Sequence, residues 1–158
     1  MAQEHTYEAT IVWTGNRGEG TAGYRSYERS YDVVMAGKAT LKGTADPAFR
    51  GDAALHNPED LLLASVSACH MLWYLHLAAE AGISVLEYRD RAAGVMQLGA
   101  DGGGRFTRLI LRPEIAIAPG GDLARAQALH AVANARCFIA NSLNLPVEHE
   151  PVMRVAAG

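Results

Sequence analysis

At 158 residues, 49% of them apolar and 20% charged, the chain is the size of one ordinary domain and carries enough hydrocarbon to build a core. Its net charge of −3 comes without any long run of like charge, which argues against a nucleic-acid partner or an anionic membrane surface. Two cysteines are too few for a disulfide framework, and the polar start MAQEHTYEAT lacks the basic-then-apolar pattern of a secretory leader, so the expected compartment is a reducing cytoplasm and the expected organisation one domain, 1–158.

In chain order, TYEATIVWTG and AGYRSYERSYDVVMAG flank a glycine-rich loop from Gly15 to Gly20 and read as two strands of a hairpin, continued by KATLKGTA. Strand alternation puts Tyr27, Tyr31, Val33 and Met35 on one face, with Arg25 and Arg29 at its outer end. The loop DPAFRGDAALH leads into a helix with Asn57 as N-cap, Pro58 at the first helical position and Glu59 and Asp60 in the first turn, ending near Gly82. Leu61, Leu62, Leu63, Val66, Leu72, Trp73, Leu75 and Leu77 leave almost no polar stripe, so burial on most sides is expected. Ser65, Ser67, His70 and His76 interrupt the apolar run and no basic residues flank it, which argues against a membrane span.

SVLEYRDRAAGVMQL and RFTRLILRPEIAIA surround the turn GADGGG and read as a second hairpin of longer strands. After Asp122 as N-cap, LARAQALHAVANARCFIANSL reads as a second helix with Leu129, Ala133, Cys137 and Ala140 on one face, and PVEHEPVMRVA as a short closing strand. Sheet, long helix, hairpin, helix and strand make the fold class α+β.

Each cysteine thus lies on the apolar face of its own helix, and packing those helices together could join Cys69 and Cys137 as a redox pair. The alternative is that both thiols are small core hydrophobes. A reactive Cys69 in apolar surroundings needs a cation beside it, and Arg17, Arg25, Arg29 and Arg50 are available; Glu59 could hold a guanidinium in place. Glu59 precedes Cys69 by ten residues, roughly 15 Å of helical rise, so the two cannot share a small site on one straight helix. Either the helix breaks between them, or the site lies between two chains.

NPEDLLLASVSACHM resembles the motif Asn-Pro-Glu-[Glu/Asp/Gln]-Leu, followed by an apolar segment and Ala-Cys, of the osmotically inducible protein C and organic hydroperoxide resistance proteins (OsmC/Ohr). ARCFIANSL resembles that family's second motif, Cys-Pro-Val-Ser-x-x-Leu, and the element order agrees over nearly the whole chain. The resemblance implies an OsmC/Ohr-like fold in an intertwined homodimer with sites at the subunit interface. It also implies a thiol peroxidase that reduces organic hydroperoxides to alcohols, with Cys69 peroxidatic, Cys137 resolving, a dithiol as reductant and no cofactor. Glu59 carries over as the family's glutamate; for its arginine, Arg50 is preferred and Arg17 is second. Phe138 stands where the second motif has proline, and His70 follows the nucleophile where the family has an apolar or aromatic residue. His70 points about 100° away from Cys69, which suits a supporting donor better than a proton acceptor.

Gly15, Gly18 and Gly20 join strand to strand and make no phosphate cradle, and no two histidines stand four apart on a helix, so no metal is expected. Trp73 and Tyr74, a turn beyond the nucleophile, could line an apolar substrate pocket. The alternative function is a non-catalytic module that binds a small ligand, with both cysteines structural.

Overall fold

The computed structural model describes residues 3–157, as two compact units, Met1–Leu61 and Leu62–Gly158. In the first unit, β1 (Thr10–Trp13), β2 (Tyr31–Val34) and β3 (Leu41–Gly43) form an antiparallel sheet in that order. Trp13 pairs with Tyr31 and Tyr31 with Gly43. Gly43 leaves room for the Tyr31 ring: a Cβ there would lie 2.3 Å from Tyr31 Cζ. The second strand begins at Tyr31, later than the sequence pattern suggests, because Arg29 donates to the carbonyls of Tyr27 and Tyr24 and holds that segment as a loop.

Helix α1 (Pro58–Glu80) begins and ends as its sequence signals it should. The Asn57 side chain accepts from the Asp60 amide at 2.8 Å and the Asp60 carboxylate accepts from the Asn57 amide at 3.3 Å, so two amides at the helix start are satisfied reciprocally. At the other end Gly82 takes φ +70°, Ile83 N donates to Ala78 O and Gly82 N to Ala79 O. That closes the orphan carbonyls in a Schellman turn. Between these caps the helix is unbroken, which removes the alternative in which it breaks between Glu59 and Cys69.

The second unit builds its core on one stripe of α1. The expected hairpin is present but each long strand is divided: β4 (Val85–Asp90) and β5 (Ala93–Leu98) return as β6 (Gly104–Leu111) and β7 (Pro113–Ile117). Asp90 Oδ1 accepts from Arg112 N at 2.7 Å at the bend. Two sheets result, β4-β7-β9 and β5-β6-β8, where β8 (Val147–His149) and β9 (Val152–Val155) are the closing strand, split at Glu150–Pro151 and parallel to β6 and β7. Tyr74, Leu77, Ala78 and Ile83 pack on Ile115 and Ile117 of β7 and on Ala126 and Ala133 of α2 (Leu123–Arg136); Val66 packs on Leu109, Leu111 and Val147. Each such side chain fully removed from water contributes about 1.5–3 kcal/mol.

Burial of α1 on most sides is corrected. Its buried residues are Val66, His70, Tyr74, Leu77 and Ala78, a single stripe, and Leu72 on another face is 63% exposed. The helix is apolar and long enough to cross a membrane, yet its inward stripe packs on strands and α2 in the manner of a core helix. The second helix is also corrected: it ends at Arg136, Cys137 is extended at φ −64°, ψ 113°, and a separate short helix, α3 (Phe138–Asn141), follows.

Candidate active site

The break after α2 places Cys137 where two helices meet. It caps the C-terminus of one and the N-terminus of the next, and its Sγ accepts from the Ala140 amide at 3.5 Å. Cys69 is half-buried on α1, Cys137 is 1% exposed, and both are free thiols. The Cys69 side chain lies close enough to Cys137 to perturb its thiol. Burial, and next the contact with Cys69, push the Cys137 thiol up to about 11. Cys137 therefore keeps its proton at neutral pH.

The first unit holds a cavity of about 330 Å³ lined by Trp13, Tyr27, Arg29, Tyr31, Phe49 and Glu59, among others. Arg29 is locked there: Nη1 donates to Tyr27 O at 2.6 Å, Nη2 to Tyr24 O at 2.7 Å, and its guanidinium lies 4.0 Å from the Tyr27 ring centre and 4.4 Å from that of Tyr24. Among the described residues no carboxylate pairs with it. Burial and then the Glu59 carboxylate push the Tyr31 phenol up, so Glu59 and Tyr31 meet in this cavity. Arg50 lies outside its lining, exposed, in the left-handed conformation at φ 68° and 5.9 Å from the Tyr24 ring. Arg17 pairs with Glu28 at the surface.

A buried cluster joins His70 and Tyr74, read from the sequence as a supporting donor and as pocket lining, to His130, which the sequence did not single out. His70 Nε2 and His130 Nδ1 are 3.0 Å apart, Tyr74 stacks on His130 at 4.1 Å, and His149 tilts against both imidazoles. Burial first, then His149, lowers His70 to about 4; burial, His70 and His149 lower His130 to about 3. Both are neutral at physiological pH. Tyr74 belongs to this core, its hydroxyl donating to Ala126 O at 3.2 Å, whereas Trp73 lies edge-on to Phe138 nearer the surface. The available signal for His130 was its place between Ala126 and Ala133 on the buried face of α2. Among the described residues no cluster of three or more His, Cys, Asp or Glu is arranged to hold a metal ion.

A family model of OsmC-like proteins matches residues 51–151, a stretch that contains Glu59, Cys69 and Cys137. Among curated proteins, none matches the chain in sequence. Among solved structures, an OsmC-like protein of unknown function from Vibrio cholerae is 26% identical with a TM-score of 0.85, covering 94% of this chain and 100% of that one. An organic hydroperoxide resistance protein from Elizabethkingia anophelis shares the fold at 21% identity and TM-score 0.71, over 99% of this chain and 100% of that one. The organic hydroperoxide resistance protein of Bacillus subtilis does so at 18% identity and TM-score 0.63, over 95% and 98%.

Proposed function

Because the chain belongs to the OsmC-like protein family, we propose that it is a thiol peroxidase of peroxide defence, one domain in each half of a cytoplasmic homodimer, which reduces organic hydroperoxides to alcohols. The observation that supports this best is the closeness of two free thiols drawn from distant points of the chain. Cysteines acting only as small hydrophobes have no need to meet.

The Cys69 sulfur attacks one oxygen of the O–O bond. That oxygen stays on sulfur as a sulfenic acid, and the other leaves as alkoxide and takes up a proton to give the alcohol. Cys137, already in contact and holding its proton, attacks the oxidised sulfur; the S–S bond forms, and hydroxide leaves with the Cys137 proton as water. A dithiol then restores both thiols by exchange.

Ionising Cys69 in apolar surroundings calls for a cation. Arg29 is the group we assign: it is immobilised, has no carboxylate partner among the described residues, and lines the same cavity as Glu59. Since α1 is unbroken, we read Arg29 and Glu59 of one protomer as serving Cys69 of its partner. The open apolar side chains Leu72 and Phe138, 63% and 68% exposed, support a dimer in which they are covered. Arg50, favoured by the family resemblance, and Arg17 are the comparison positions.

With dithiothreitol supplied, the protein should consume cumene hydroperoxide and Cys69→Ser should not. Arg29→Gln and Glu59→Gln should each slow turnover roughly ten- to a hundredfold, about 1.4–2.8 kcal/mol of transition-state stabilisation, while Arg50→Gln and Arg17→Gln change it less. A larger loss in Arg50→Gln would move the assignment to that residue. The aromatic cavity gives a second reading, a non-catalytic ligand-binding module. In that case hydroperoxide leaves the thiol count unchanged and Cys69→Ser keeps its ligand.

A further inference from the structure

The histidine pair sits on the seam between the two helices that carry the cysteines. His70 Nε2 and His130 Nδ1 are 3.0 Å apart, the ring centres 5.3 Å, and the ring planes differ by 6°. A centre separation that exceeds the N···N distance by only two ring radii means the imidazoles lie edge to edge in one plane. Each nitrogen points straight at the other, so one ring donates and the other accepts, and the bond is strongly directional. The remaining nitrogens, His70 Nδ1 and His130 Nε2, are buried and bond to no protein group. The polar interaction of both side chains is therefore the one that crosses the seam.

Its neighbours form a ladder. Tyr74 of α1 donates to Ala126 of α2, His70 meets His130, and Cys69 meets Cys137 at the end of α2. Descending α1 while ascending α2 makes the helices antiparallel. Apolar contacts alone would tolerate a slide of one helix along the other. This seam does not: a shift of one turn would leave two buried imidazoles unpaired, at the cost of desolvating both. Tyr74, stacked on His130 at 4.1 Å and 16°, holds the ring plane in which the bond is made.

We propose that His70 and His130 are positioning residues that fix the register of α1 against α2, and so keep Cys69 and Cys137 in place for disulfide closure. This rests on the reading that the two thiols cycle through a disulfide, and extends it to groups that touch neither sulfur.

The test is the equilibrium of the thiol pair with glutathione. One oxidised glutathione takes two electrons from the Cys69 and Cys137 thiols and leaves, with their two protons, as two reduced glutathiones; acid quench and alkylation count what remains. His70→Leu/His130→Leu removes both polar groups together and leaves no orphan. We expect its effective thiol concentration to fall tenfold or more without a lower melting temperature. His70→Gln/His130→Asn puts an amide at each bonding nitrogen and should restore the wild-type value. Should the leucine pair fail to fold, His70→Asn/His130→Gln, with the same groups misplaced, should show the same deficit. A wild-type equilibrium in the leucine pair, or in the misplaced pair where that is the one read, overturns the inference even if hydroperoxide turnover is intact. A wild type that equilibrates with glutathione but ignores cumene hydroperoxide removes the peroxidase reading and leaves this inference to the variants.

Discussion

In the proposed cycle Cys137 is the reserve thiol, a role that follows from where a helix ends. An extended backbone at that residue lets its sulfur cap the next helix while burial keeps it protonated. Cys137→Ser should therefore still react once with cumene hydroperoxide and stop at the sulfenic acid, trapped by dimedone and read by mass spectrometry, whereas Cys69→Ser should yield no adduct. The histidines add a pH dependence whose sign follows from their lowered values. Folded, His70 and His130 stay neutral down to about 4 and about 3; unfolded, they bind protons below about 6.5. The unfolded chain then holds more protons, so stability is full above about 6.5 and is lost as pH falls through 4. His70 alone accounts for about 3 kcal/mol, with His149 adding to the effect of burial and Asp90 opposing it. Urea midpoints from pH 7 to 4.5 should drop in wild type and flatten in His70→Leu/His130→Leu; equal slopes would show that the imidazoles are not held neutral. Cys69 was legible from its apolar helix, and the burial of Cys137 from the apolar pattern around it, although Cys137 lies at the break after α2 and not on a helix face. The histidine pair was not, since its partners stand 60 positions apart and no periodicity links them.

The elements that announced themselves most clearly were those with local chemistry at both ends. Asn57, Pro58 and Asp60 start α1 and Gly82 stops it, each by bonds within a few residues. Asn57→Ala should cost about 1 kcal/mol by removing the side-chain cap, measured by thermal unfolding. Gly82→Ala should cost a comparable about 1 kcal/mol, because a Cβ is disfavoured in the left-handed region. Gly43→Ala drives a methyl into the Tyr31 ring and should cost about 1–3 kcal/mol. Strand lengths read less well. The apolar alternation of 84–98 and 105–118 continues through the bends, while the division into two sheets depends on Asp90 reaching across to the Arg112 amide, a contact 22 residues away. Likewise the second helix looks continuous through Cys137, and its break is stabilised by a sulfur accepting from Ala140.

For the whole molecule the question is what covers the rest of α1. An apolar helix with one buried stripe and Leu72 open supports the proposed second copy as its cover, the copy from which the proposed site would draw Arg29 and Glu59. Leu72→Glu should shift the protein toward monomer in light scattering and lower hydroperoxide turnover in step, while a monomeric wild type would refute the shared site. Family motif and element order carried the fold class, but a single chain's periodicity could not say which apolar face a partner takes. The most direct test of the two-thiol chemistry is peptide mapping after one equivalent of cumene hydroperoxide and a denaturing acid quench. Two free thiols should disappear together, and one cross-linked peptide should join Cys69 to Cys137 within a chain. Two unreacted thiols, or a cross-link between chains instead, would contradict the proposed chemistry.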